Sequence, residues 1–234
     1  MCHEDLLYIE DDDQRKLYYH FTPGGVTSNF VPLIVILDDE SEVSNFEYKM
    51  WNVLRPIDHF GDDNKGSCWL GEKGDFFVKE LLQKLIHTIA QEYECEDHIY
   101  LYGNAIGGYS AILHGILCNA NAVYAHAALI KLPNADSAVG EMKALFTSVF
   151  DKTVSKENDL THFLNSNDRF PIFYLCDDSI AEGNGPEDET AYFADACKKH
   201  DINVHLDFCK KRQEDRTHVL KEVLNFFERV ASEK

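Results

Sequence analysis

The stretch IYLYGNAIGGYSAILHGIL, Ile99 to Leu117, decides the fold. Its opening, Ile99-Tyr100-Leu101-Tyr102, is a short apolar run of the kind that makes a buried strand. The chain then turns through Gly103-Asn104-Ala105-Ile106-Gly107-Gly108 and leaves as an apolar helix. Glycines bracket the turn because a residue held at a sharp strand-to-helix corner leaves no room for side chains beside it. The residue at the centre of that corner is Ala105.

Working outward, the same alternation of elements repeats. Upstream, 75–93 reads as an amphipathic helix, with Phe76, Val78, Leu81, Leu82, Leu85, Ile86 and Ile89 at helical spacing. Before it, FVPLIVIL (Phe30 to Leu37) is β-branched and nearly unbroken, a strand covered on both faces, and it ends in the acidic loop Asp38-Asp39-Glu40-Ser41. Trp51 to Ile57 is a further strand, weakened by Pro56, and 58–74 is a polar loop with Cys68-Trp69-Leu70 as an apolar island. Lys16 to Phe21 is β-prone and stops at Thr22-Pro23-Gly24-Gly25, while 1–15, with Asp11-Asp12-Asp13, reads as a loosely packed lead-in.

Downstream, Ala122 to Leu129 is a strand, Phe170 to Cys176 another, and Val204 to Phe208 the last. Helices are expected over 190–200 and 217–230, the latter carrying Val219, Leu220, Val223, Leu224, Phe226 and Phe227. The segment 133–168 is mixed, with 141–150 its best helical piece. This order predicts one α/β domain over 1–234: a doubly wound, mainly parallel sheet with right-handed crossovers and helices on both faces. The segment 133–168 is expected to form a small cap over the site, shaping entry through Leu145, Phe146 and Phe150.

Composition narrows the function. A chain of 234 residues with 44% hydrophobic and 27% charged residues is ordinary for a globular domain, but a net charge of −19 is not. That charge repels nucleic acid and an anionic membrane, and disfavours a strongly anionic polymer unless a local basic patch overrides it. Seven scattered cysteines, an odd number with no C-x-x-C, suggest reduced thiols and a cytoplasmic setting. The acidic N-terminal stretch does not read as a signal peptide, and the longest apolar run is too short to span a bilayer. No H-E-x-x-H, phosphate-loop or dinucleotide pattern is present, so no metal and no cofactor is expected.

In a doubly wound sheet, functional groups collect in loops at the carboxyl ends of strands. Three such loops carry chemistry here: Ala105 after the Ile99 strand, Asp177 and Asp178 after the Phe170 strand, and His218 after the last strand. The turn G-N-A-I-G is the G-x-S-x-G pattern with alanine in place of serine, and the order of nucleophile, acid and histidine is that of a serine hydrolase. A serine hydroxyl needs an imidazole to take its proton, and a carboxylate to hold that imidazole in the right tautomer. An oxyanion would be met by the N–H of Ile106 and by a second N–H near Asp38 or Asp39. Asn104, Trp69 and His126 are candidates to line the cleft; Trp51 and Trp69 could form a sugar-stacking platform, although aromatic packing under loops is the commoner role.

From Leu33 to the end, the chain resembles the α/β-hydrolase superfamily. More narrowly it looks like bacterial serine esterases and O-acetyltransferases acting on polysaccharides. WLGEKGDFFVKELLQKLI, the elbow followed by Gly-Gly-Tyr, YLCDDS and the closing Thr217-His218 carry that resemblance. It implies Ala105 at the nucleophile position, Asp178 (with Asp177 as alternative) as acid, His218 as base, and a small-molecule or glycan ester as substrate. Two features depart from the family: Ala105 itself, and the acidic loop Asp38-Asp39-Glu40 where a Gly-rich oxyanion loop is usual. Three accounts of Ala105 stand: an inactivating Ser→Ala change in an esterase or acyltransferase, a natural pseudo-hydrolase that binds a ligand or protein, or an Asp/His pair working without a covalent intermediate.

Overall fold

The computed structural model describes residues 6–25, 31–38, 49–61, 66–133, 141–150, 155–165, 168–177, 189–208 and 216–232. The described strands are β1 (Leu7–Glu10), β2 (Lys16–Thr22), β3 (Leu33–Leu37), β4 (Asn52–Ile57), β5 (Ile99–Asn104), β6 (Ala122–His126), β7 (Ile172–Asp177) and β8 (Val204–Phe208). They form one sheet in the order β1-β2-β4-β3-β5-β6-β7-β8. The β1–β2 and β2–β4 pairs are antiparallel and the remaining pairs parallel. The described helices are α1 (Phe77–Glu92), α2 (Ile106–Leu117), α3 (Glu141–Phe150), α4 (Glu189–Lys199) and α5 (Arg216–Ser232).

The sequence pattern explains the layering. β3 is LIVIL, apolar at every position and buried throughout, as a strand covered on both faces must be. Alternate side chains divide between two cores. Leu33, Val35, Leu37, Ile99, Leu101, Val123, Ala125, Phe173 and Leu175 pack with α1, α2 and α4 on one face. Ile34, Ile36, Tyr100, Tyr102, Tyr124 and Cys176 pack on the other against Val223, Leu224, Phe226, Phe227 and Val230 of α5. The doubly wound, mainly parallel sheet is therefore as expected.

Two expectations are corrected. The described part of the lead-in is not loose: β1 and β2 make an antiparallel hairpin, with Tyr8 opposite Tyr18 and Glu10 opposite Lys16. Arg15 locks it, donating to Asp11 Oδ2 and Asp75 Oδ2 at 2.6 Å each, with its guanidinium 3.9 Å from the centre of the Phe77 ring. The second correction concerns the cap. In α3, Phe146, Val149 and Phe150 are buried in the α1–α2 core, as are Leu160, Phe163 and Leu164 of the short 3-10 turns that follow. α3 also accepts from the loop before α1: Lys73 N–H donates to the Ser148 carbonyl at 2.7 Å and Gly74 N–H to that of Val149 at 2.8 Å.

These side chains therefore belong to the core that holds the domain together. Phe146→Ala is expected to cost about 3–5 kcal/mol of stability, the usual penalty for emptying an aromatic core site. Denaturant unfolding measures it; a loss under about 1 kcal/mol would return α3 to the role of a loosely attached cap.

Candidate active site

Ala105 caps the N-terminus of α2 with φ 50° and ψ −113°, a conformation that disfavours any side chain with a Cβ. Backbone bonds hold it there: its N–H donates to the His126 carbonyl at 2.9 Å, and its carbonyl accepts from Tyr109 at 3.1 Å and Leu129 at 3.4 Å. Its side chain is exposed, although the strand and helix on either side are buried.

The glycines around it are required by contact. A Cβ on Gly103 would lie 2.0 Å from the Gly107 carbonyl oxygen, one on Gly107 1.8 Å from that of Leu37, and one on Gly108 2.7 Å from the Ala128 Cβ. The first turn of α2 thus rests directly on the ends of β5 and β3. That contact brings the Asp38 backbone beside the helix N-terminus, where the first N–H groups have no partner within the helix. Asp38 is half-buried, and Asp39 lies outside the described residues.

Asn104 and His126, the last residues of β5 and β6, stand side by side in register. His126 Nδ1 is 3.1 Å from Asn104 Oδ1, so the amide oxygen accepts and Nδ1 carries the proton. By alternation both lie on the α5 face, with Tyr102 and Tyr124. Burial, then the charge of Asp38 and the Cys176 thiol, pushes the Tyr102 hydroxyl well above its ordinary pKa. It is un-ionised at neutral pH.

Trp69 does not supply a stacking face. It is 1% exposed, and its peptide groups brace the elbow helix from behind. The Trp69 N–H donates to Asp58 Oδ2 at 2.8 Å, and its carbonyl accepts from His114 Nε2 at 3.3 Å. Ser110 Oγ donates to the Cys68 carbonyl at 2.8 Å, which ties the same loop to α2. Cys68 and Trp69 are both left-handed, with φ 56° and 50°. The buried Asp58 keeps them so by also accepting from Ser67 N–H at 2.6 Å and Ser67 Oγ at 3.0 Å. Burial raises the Asp58 pKa, and the donors from Trp69, Ser67 and Phe60 offset this only in part. This clamp is invisible in the sequence, because Asp58 and His114 have no motif around them.

Burial pushes the His114 imidazole down to about 3; the Trp69 carbonyl opposes this, while the charge of Lys79 adds to it. The unfolded chain binds a proton near the ordinary value of 6.5 and the folded one does not. Stability from this group is therefore complete above about 6.5 and lost as pH falls toward 3, a loss on the order of 4 kcal/mol. His114→Gln keeps a donor toward Trp69 and cannot titrate. Denaturation curves at pH 7.5 and 4.5 should show a smaller acid loss in the variant, and equal losses would refute the assignment.

Of the three expected acid and base residues, the side chain of Asp177 is described. Asp177, at the end of β7, shares the face of Phe173 and Leu175 and accepts from Thr190 Oγ1 of α4 at 2.9 Å. Asp178 is outside the described residues. His218 falls in the first turn of α5, on the opposite side of the sheet from α4, and its side chain is likewise outside them. Among the described residues no cluster suited to a metal ion occurs.

Strand order, elbow geometry and the succession of carboxyl-end loops define an α/β-hydrolase fold. Solved structures similar to it include an S-formylglutathione hydrolase from Agrobacterium tumefaciens, with 15% identity, TM-score 0.70, and coverage of 97% of this chain and 94% of that one. A fluorophosphonate-binding serine hydrolase of Staphylococcus aureus has 11% identity and TM-score 0.71, covering 95% and 96%. The capsule O-acetyltransferase of Neisseria meningitidis serogroup A has 17% identity and TM-score 0.67, covering 96% and 95%. At these identities the likeness establishes the fold. No protein-family model and no curated protein matches the sequence.

Proposed function

We propose that this chain carries the acyl-transfer site of a serine esterase or O-acyltransferase, acting on a small-molecule or glycan ester, with Ala105 at the nucleophile position. The observation that carries the reading is the backbone at Ala105: exposed, left-handed and fixed by three glycines in backbone contact. A protein with no use for a projecting side chain there gains nothing from a strained corner that costs about 1–3 kcal/mol. Similar solved structures include both hydrolases and an O-acetyltransferase, which supports the class without choosing between them.

With serine at position 105, His218 would take the hydroxyl proton as the oxygen attacks the ester carbonyl, then return it to the departing alkoxide. Ile106 N–H and a backbone N–H at Asp38 or Asp39 would hold the oxyanion. Asp178 is assigned as the acid, because Asp177 is bonded to Thr190 on the α4 face while His218 belongs to the α5 side. Asn104 and His126 would line the acceptor side of the cleft. The five described cysteines, Cys68, Cys95, Cys118, Cys176 and Cys197, are buried thiols, which fits a reducing compartment such as the cytoplasm.

The Ala105 methyl also supports a second reading, a natural pseudo-hydrolase that binds an ester-like ligand or a protein through the same cleft. Labelling tests the first. An alkyl fluorophosphonate should modify the Ala105→Ser chain with loss of fluoride and leave the Ala105 chain untouched. An unlabelled, folded serine form would leave the binding reading.

A further inference from the structure

The chain that leaves β6 is fastened by a carboxylate from α4. Ala127 is left-handed, with φ 44°, and the turn it makes brings Ala128 against Gly108 in the first turn of α2. The Ala127 N–H donates to the Cys176 carbonyl at 2.8 Å, that of Leu129 to the Ala105 carbonyl at 3.4 Å, and that of Leu132 to the Asn158 carbonyl at 2.9 Å. Between them, the N–H groups of Ile130 and Lys131 both donate to one side-chain atom, Glu189 Oε2, at 2.8 and 3.1 Å.

Glu189 is the first residue of α4, and the next residue anchors the helix. Thr190 is buried and donates through Oγ1 to Asp177 Oδ2 on β7 at 2.9 Å. The carboxylate therefore stands on a base fixed to the sheet, in a helical first turn that favours negative charge. A buried backbone N–H deprived of its acceptor is costly, so this one side chain holds two consecutive peptides in place. Ile130 is 0% exposed, and bulk water does not reach its N–H. Lys131 is held a second time, its ammonium 3.8 Å from the centre of the Tyr192 ring on α4.

We infer that Glu189 is a positioning residue for the acyl-transfer site, acting through the segment 126–131 on the backbone at Ala105. Both backbone groups of Ala105 bond to that segment: its N–H donates to the His126 carbonyl at 2.9 Å, and its carbonyl accepts from Leu129 at 3.4 Å. Leu129 directly precedes Ile130, so a shift at the Glu189 clamp reaches the elbow across one residue. The Leu129 bond is the longest of the five that hold the segment 127–132, and the first to be lost if it loosens. Ala105 sits in a strained conformation that its surroundings must enforce. A reacting group misplaced by about 1 Å loses on the order of 100-fold in rate, while groups that only bind the ester are untouched. The catalytic meaning rests on the esterase or acyltransferase reading, but the mechanical link from Glu189 to Ala105 does not.

Residue-resolved amide hydrogen exchange on the full chain tests that link without turnover. Glu189→Ala should speed exchange at Ile130, Lys131 and Ala105 by about tenfold or more, whereas Glu189→Gln, which keeps a carbonyl oxygen at the same reach, should stay close to the parent. In the Ala105→Ser form, Glu189→Ala should lower kcat for an aryl acetate by roughly 10–100-fold and leave KM within about threefold, with most of kcat recovered in Glu189→Gln. Rates are taken per folded protein. Should Glu189→Ala fold poorly, Glu189→Asp draws the carboxylate back by one methylene and should give an intermediate result on both readouts. Faster exchange at Ile130 and Lys131 beside an unchanged Ala105 amide would overturn the proposal. So would Glu189→Gln matching Glu189→Ala, or an unchanged kcat in an active serine form. An inert serine form whose Ala105 amide still answers to Glu189 would count against the esterase reading alone.

Discussion

Ala105→Ser is expected to raise the hydrolysis of a short aryl acetate by roughly 10⁶-fold, the order lost when a triad nucleophile is removed from an intact site. The change adds one oxygen at a residue that is already exposed and already strained, so the backbone needs no rearrangement. The N–H of Ile106 lies at the start of α2, where the helix dipole favours the developing negative charge. If His218 and Asp178 complete the site, His218→Ala or Asp178→Asn in the serine background should each abolish the gain, and Asp177→Asn should spare most of it. The reason for the last asymmetry is visible: Asp177 is already engaged by Thr190 on the far face. Steady-state rates for the five forms decide it. A serine form as inert as the alanine form, with unfolding curves unchanged, would mean the site serves binding. Acetyl transfer to a sugar hydroxyl outpacing hydrolysis would make the protein a transferase, and the reverse an esterase.

The elements that sequence reveals here are those whose physics is local. β3 and β5 announce themselves as unbroken apolar runs, α1 by its 3.6-residue stripe, and the elbow by glycines that later prove to touch backbone. β1 escapes because four residues, LYIE, beside an acidic turn carry too little periodicity, and only pairing with β2 makes them a strand. α3 is legible as a helix, but its partner is not. An apolar face fits a cap and a core equally well until Phe146 and Phe150 are seen buried, the Phe150 ring 5.9 Å from that of Phe76. Trp69 misleads for a related reason, since the sequence shows an aromatic in a polar loop and not the buried Asp58 carboxylate that draws its peptide inward. His126 is a different case: the sequence puts it at the end of the strand beside the elbow, and its contact with Asn104 follows from the register of β5 and β6.

Gly107→Ala is expected to lower stability by at least about 3 kcal/mol, near the top of the range for single substitutions. Local propensity points the other way, because alanine in a helix is favoured over glycine by about 1 kcal/mol. Contact decides the sign. The new Cβ would sit 1.8 Å from the Leu37 carbonyl oxygen and 2.9 Å from the Leu37 carbonyl carbon, both backbone atoms of a fully buried central strand. No rotamer relieves that, so α2 would have to lift from β3. For a domain of this size the melting temperature should fall by roughly 6–12 °C. Gly25→Ala serves as the control, since among the described residues its Cβ would come no closer than 3.8 Å to a neighbour and should leave the melting temperature near that of the parent. In the Ala105→Ser background the same lift would pull Ile106 N–H away from the Asp38 backbone. The rate constant at saturating ester should then fall further than the folded fraction explains. A melting temperature equal to the parent's would show that the helix tolerates a side chain at Gly107. The tight seat of α2 on β3 would then not be what shapes the elbow.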